Sequence, residues 1–173
     1  MKYIYIQPIC EVGEELLGFL GIRLEGIYGY PCRIALPVRV PESSYSADRD
    51  QYNAEVIVEK IMEKMPIDAE KLLCVVDLDL FVSGMNFVFG LAAGNAAVIS
   101  LARLRHECYG EKKNEYLFRE RALKEAIHEL GHTFGLHHCH DIRCIMHFSN
   151  RLEDTDIKGT DFCEVCSTKI GRK

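Results

Sequence analysis

A chain of 173 residues with 48% apolar content and a formal net charge of −5 is long enough for one domain with a proper core. The mild acidity and the lack of a dense basic cluster argue against nucleic acid as a partner. The start, Met1 to Pro8, has too short an apolar run for a secretory signal, and Asp77 and Asp79 break the most apolar stretch, Leu72 to Val82, so no membrane span is expected. Eight cysteines without an export signal point to a reducing cytoplasm, with a monomer as the default state.

Residues 2–9 alternate apolar and polar and predict a first strand. Val12, Leu16, Phe19 and Leu20 fall at helical spacing, which predicts a helix over 12–24. Cys32 to Val40 reads as a strand, with Pro37 suggesting a sheet edge. The polar run from Pro41 to Asp50 predicts a loop before a second helix, carried by Ala54, Val58, Ile61 and Met65 and ended by Pro66. Leu72 to Leu78 predicts a buried central strand. Phe87–Leu91 and Ala96–Leu101 read as two further strands around an Ala92–Asn95 turn. Asn114 can cap a last long helix, which runs without proline to about Leu136. This β-α-β-α-β-β-β-α order implies an α+β fold with an α/β-like upper part: a mixed sheet backed by two helices, with the last helix beneath.

That last helix carries the chemistry. Residues 128–138 match H-E-x-x-H-x-x-G-x-x-H. His128 and His132 lie one turn apart on nearly the same face, so two ring nitrogens can reach one metal ion at about 2.0–2.1 Å. Gly135 can take a positive φ and end the helix, returning His138 as a third ligand. Three protein ligands leave a fourth position open, as in catalytic rather than structural zinc. Glu129 points away from its neighbouring ligand and suits a base. The apolar stripe is Leu123, Ile127, Leu130 and Phe134, and the two histidines sit about 150° from its centre, beside Arg121, Lys124, Glu125 and Glu129.

A second constellation begins at once. Cys139 and Cys144 form C-x₄-C, and Cys163 and Cys166 form C-x₂-C, two chelating pairs suited to a closed structural zinc site. An iron–sulfur cluster would use the same four thiolates, and two disulfides fit less well without export. Because Cys139 follows His138 directly, the thiolate site is expected to set the path of the chain after the helix and so the position of His138. Cys10, Cys32, Cys74 and Cys108 stand singly and read as packing residues.

With Met146 two residues after Cys144, these motifs resemble the metzincin clan of zinc peptidases, and the four cysteines narrow the resemblance to the archaemetzincins. The match lies in residues 128–166. The upstream part agrees in length and layout. The resemblance implies that His128, His132 and His138 hold the catalytic zinc, that Glu129 is the general acid/base, that Met146 underlies the metal without binding it, and that Cys139, Cys144, Cys163 and Cys166 hold a second zinc. It also implies one metzincin-like catalytic domain with an upper part, 1–135, and a lower part, 136–173, separated by a substrate cleft. One strand within 84–101 would then edge the cleft and pair with an extended peptide.

The expected activity is zinc-dependent hydrolysis of peptide bonds in a peptide or protein substrate. The alternative is a non-catalytic peptide-binding or scaffolding protein that keeps both zinc sites, although a base beside the metal is of no use to such a module. His106, His137, His140 and His147 receive no catalytic role.

Overall fold

The computed structural model describes residues 1–171. In chain order its elements are β1 (Tyr3–Ile9), α1 (Glu14–Tyr28), β2 (Cys32–Ile34), β3 (Tyr45–Ser46), β4 (Gln51–Asn53), α2 (Ala54–Met62), β5 (Ala69–Val76), β6 (Leu80–Phe81), β7 (Gly90–Ala93), β8 (Ala96–Ser100), α3 (Glu115–Thr133), α4 (Leu152–Ile157) and α5 (Glu164–Lys169). Five strands form a sheet in the order β2-β1-β5-β8-β7. The first four run parallel, and β7 is antiparallel to β8 at one edge. The other edge is β2, which stops at Ile34 rather than running to Val40 as expected, so that Pro37 lies beyond it and only an isolated bridge from Ile9 to Val38 continues the edge. A small second sheet joins β3, β4 and β6.

Period-two alternation on β5 explains how one strand serves two cores. Leu73 and Val75 face α1 and α3, in a cluster with Ile4, Ile6, Leu20, Ile99, Leu123, Ile127 and Leu130. Leu72, Cys74 and Val76 face α2, in a cluster with Ile57, Val58 and Val98. A strand buried on both faces reads as a continuous apolar run, which is why this segment was legible as central. The mixed sheet with helices against it is the expected fold. Its helices divide unequally, α1 and α3 sharing one face while α2 covers the other.

The differences from the sequence reading are local. The Pro41–Asp50 loop contains a 3₁₀ turn at Glu42–Ser44 and the two residues of β3, which are too short to show alternation. Helix α2 stops at Met62 rather than Met65, because Pro66 disfavours helical geometry in the residue before it. The strand expected from Phe87 begins at Gly90, and the β7–β8 turn is two residues, Gly94 and Asn95. Two short helices, α4 and α5, follow the last long one, where no helix was expected. Among the described residues, no helix is long and apolar enough to cross a membrane.

Candidate metal centres and active site

Helix α3 starts where expected: the Asn114 side chain accepts from the Leu117 N–H at 3.1 Å. Its end is a Schellman motif, with Leu136 N–H donating to Gly131 O at 3.0 Å and Gly135 N–H to His132 O at 2.9 Å. Gly135 takes φ +87°, the left-handed conformation that ends the helix and turns the chain toward His138. Lys71, on β5, completes the terminus: its ammonium donates to Thr133 O at 2.6 Å and Asn95 Oδ1 at 2.7 Å. A cation on the last carbonyls also complements the helix dipole.

His128, His132 and His138 each offer a ring nitrogen within 4.8 Å of the other two. The Nδ1 atoms of His128 and His132 lie 2.8 Å from the carbonyls of Ile145 and Leu136. Carbonyls only accept, so each Nδ1 carries the proton and each Nε2 presents a lone pair. The two Nε2 atoms nevertheless face each other at 3.1 Å. Two lone pairs at that distance call for a cation between them. Tetrahedral zinc with bonds of about 2.0–2.1 Å spaces its nitrogen ligands about 3.3 Å apart, close to what is seen. Burial holds all three imidazoles below their ordinary pKa, His128 most strongly, which favours the neutral, ligating form.

Glu129 is 7% exposed and its side chain lies against the sheet edge. A Cβ on Gly90 would come within 2.6 Å of Glu129 Cγ and 2.8 Å of Val98 O, so only glycine lets β7 approach the carboxylate this closely. Burial, then the nearby Glu125 carboxylate, pushes Glu129 up to about 8, and Lys158 pulls it back; a zinc ion held by the imidazoles would favour the ionised form that a base needs. Met146 is fully buried beneath the triad, its Sδ occupying the space that a side chain on Gly131 would fill.

The thiolates converge as well. The four Sγ atoms of Cys139, Cys144, Cys163 and Cys166 lie within 4.8 Å of one another, and Cys139 Sγ and Cys163 Sγ are 3.8 Å apart. Zn–S bonds of about 2.3 Å in a tetrahedron give S···S of about 3.8 Å, whereas a disulfide needs about 2.05 Å. The backbone N–H of Cys166 favours the thiolate of Cys163. The segment from 138 to 147 is tied to this cluster by Cys139 N–H to Met146 O, His147 N–H to Cys144 O, and His147 Nδ1 to Cys139 O, each at 2.9 Å. The same segment supplies the Ile145 carbonyl that orients His128.

A cavity of about 1020 Å³ opens on the three imidazoles and Glu129, between the β7 edge and the segment Phe148–Glu153. His137 also lines it, while His106 pairs with Glu111 at 3.0 Å on a different part of the chain.

The polar face of α3 points away from the sheet, as its periodicity required, yet it is buried. Arg121, Lys124, Glu125, His128 and Glu129 are all 3–8% exposed. Arg121, Lys124 and Glu125 are covered by α4 and Lys158, His128 by the segment that carries Ile145, and Glu129 by the β7 edge at Gly90. Arg121 forks onto Asp156 with two bonds of 2.7 Å, Lys124 donates to Thr155 O at 2.9 Å, and Glu125 pairs with Lys158 at 3.0 Å. Sequence reasoning missed Lys71, Asp156 and Lys158. The run of charges beside the ligands was a signal that this face had partners, but nothing local named them.

Comparison with known proteins agrees with this geometry. The family profile described as Peptidase family M54 matches residues 11–172. The archaemetzincin of Methanocaldococcus jannaschii is 40% identical over 169 residues, covering 96% of this chain and 92% of its own length. That of Pyrococcus furiosus is 41% identical over 175 residues, covering 96% and 91%. Among solved structures, the archaemetzincin of Archaeoglobus fulgidus, complexed with malonate, superposes with a TM-score of 0.83 at 37% identity, covering 96% of this chain and 99% of that one. A zinc-dependent peptidase from Methanocorpusculum labreanum superposes with a TM-score of 0.88 at 28% identity, covering 97% and 100%. The chain belongs to Peptidase family M54, the archaemetzincins, and is a zinc metallopeptidase acting on peptide or protein substrates.

Proposed function

We propose that His128, His132 and His138 hold the catalytic zinc, that Cys139, Cys144, Cys163 and Cys166 hold a structural zinc, and that Glu129 is the general acid/base. The observation that carries this reading is the pair of Nε2 lone pairs aimed at one point beside the Glu129 carboxylate, inside a cavity open to substrate. Zinc, when bound there, supplies a Lewis acid that acidifies water and polarises a carbonyl. Glu129 takes a proton from the attacking water and delivers it to the leaving amine. Its buried place against Gly90 keeps it next to the reacting atoms and away from bulk solvent. Met146 supports the imidazoles from below through packing on Gly131.

The substrate lies extended along β7, whose outer edge carries unpaired backbone groups beside the cavity. Residues 1–135 form the upper part of one catalytic domain and 136–173 its lower part. The protein works as a cytoplasmic monomer and binds neither nucleic acid nor membranes; the acidic balance and the lack of a basic cluster argue against nucleic acid, and eight cysteines fit a reducing compartment.

Glu129→Gln tests the mechanism. The expected result is unchanged zinc content with hydrolysis reduced by about 10²–10⁴, the range of general acid–base catalysis. Hydrolysis at the wild-type rate, in a preparation free of other peptidases, would remove Glu129 from the mechanism.

A further inference from the structure

The cavity continues past the imidazoles to Glu125, one helical turn before Glu129, and to Phe87, Phe89, Arg103, Tyr109 and Leu152. Phe89, Leu152 and Glu125 are all buried, and the rings of Phe87 and Phe89 meet edge to face at 5.3 Å. A recess with aromatic walls therefore contains a carboxylate. Glu125 Oε1 accepts from Thr155 Oγ1 at 3.1 Å and pairs with Lys158 Nζ at 3.0 Å. Among the described residues none donates a hydrogen bond to Glu125 Oε2, and Glu125 lines the cavity. It is an acceptor presented to whatever enters.

The charge balance narrows what that is. Glu125 is matched by Lys158, and Arg103 is held by Asp79 through two bonds of 2.6 Å while its guanidinium lies over the Phe87 ring at 4.4 Å. A substrate ammonium or guanidinium would shed its hydration beside pairs that are already neutral, which is costly. A flat apolar side chain with a neutral donor at its tip loses little water and satisfies Oε2.

We propose that Glu125 is a specificity-determining residue, its free oxygen accepting a hydrogen bond from a tyrosine hydroxyl next to the scissile bond. This rests on reading the cavity as the peptide cleft. Tyrosine is then preferred to phenylalanine at one flanking position, and both are preferred to lysine or alanine.

The test uses peptides that differ only by Tyr, Phe, Lys or Ala at each residue flanking the scissile bond, offered to the zinc-loaded full chain. At one position, kcat/KM for Tyr should exceed that for Phe by about tenfold, the worth of one hydrogen bond to a charged acceptor. Equal rates for Tyr and Phe, or a preference for Lys, would overturn the assignment. The double variant Glu125→Leu/Lys158→Met removes both members of the pair and leaves no lone buried charge. Its Tyr-to-Phe ratio, measured within one preparation, should fall to about one, and an unchanged ratio would place the selectivity elsewhere. Calorimetric binding of the same peptides to Glu129→Gln protein should show the same preference for Tyr. Equal binding would overturn the assignment independently of cleavage. Preferential Tyr binding with no hydrolysis by the wild-type chain would uphold it and sink the hydrolytic mechanism instead.

Discussion

The body of the molecule and its C-terminal segment share an apolar core but rely on it to different degrees. From β1 to α3, order rests on apolar burial: β5 is buried on both faces from Leu72 to Val76, and three helices seal the sheet. Residues 136–171 contain only two helices of six residues each, too short to persist by propensity. They are fixed by Leu136, Ile145, Met146 and Leu152, which dock into the apolar core, and besides these by four thiolates and by ion pairs to the polar face of α3. This weaker segment nonetheless supplies His138, Met146 and the carbonyl that orients His128. The candidate site is thus assembled half from a long helix and half from a segment that adds metal ligands and ion pairs to its apolar anchors.

Substitutions on either side test that contrast. The largest effect is expected from Cys163→Ser. Structural zinc contributes on the order of 10 kcal/mol in small metal-folded domains, so losing this ligand should melt the segment locally. Elemental analysis should show less than two zinc ions per chain, and hydrogen exchange should speed up in 136–171 while β5 stays protected. Uniform loss of protection across the chain would show that the two regions are one cooperative unit.

Leu73→Ala probes the other side. A cavity at a fully buried leucine costs about 2–5 kcal/mol, so the melting temperature should fall while both metals remain bound. Metal loss in this variant at temperatures below its transition would contradict the division of labour. Asp156→Ala leaves the buried Arg121 guanidinium, among the described residues, with only the Leu104 carbonyl as a hydrogen-bond partner, and should cost about 2–3 kcal/mol. Denaturant titration measures the loss, which should appear first in α4. Asn114→Ala removes the cap of α3 far from either metal and should cost about 1 kcal/mol with zinc stoichiometry intact.

The legible parts of this protein share a common scale. His128 and His132 stand one turn apart on a single helix, Asn114 caps that helix, and Gly135 ends it; all are relations within a few residues, governed by backbone geometry. The two cysteine pairs are likewise local, and β5 was visible because its apolar run is continuous. Helix α2 was read three residues too long because the reach of Pro66 back along the chain was underestimated. The two-residue strand β3 left no periodic trace at all.

The spacing of the candidate donor sets and of the carboxylate beside them is written in the chain itself, because a helix turn and a chelating pair are set by neighbouring residues. Tertiary structure alone decided that the charged face of α3 is buried, that Lys158 matches Glu125, and that Lys71 closes the helix 62 residues away. Those contacts join segments far apart in the chain, and a lysine carries no local mark of which distant carbonyl or carboxylate will take it out of water.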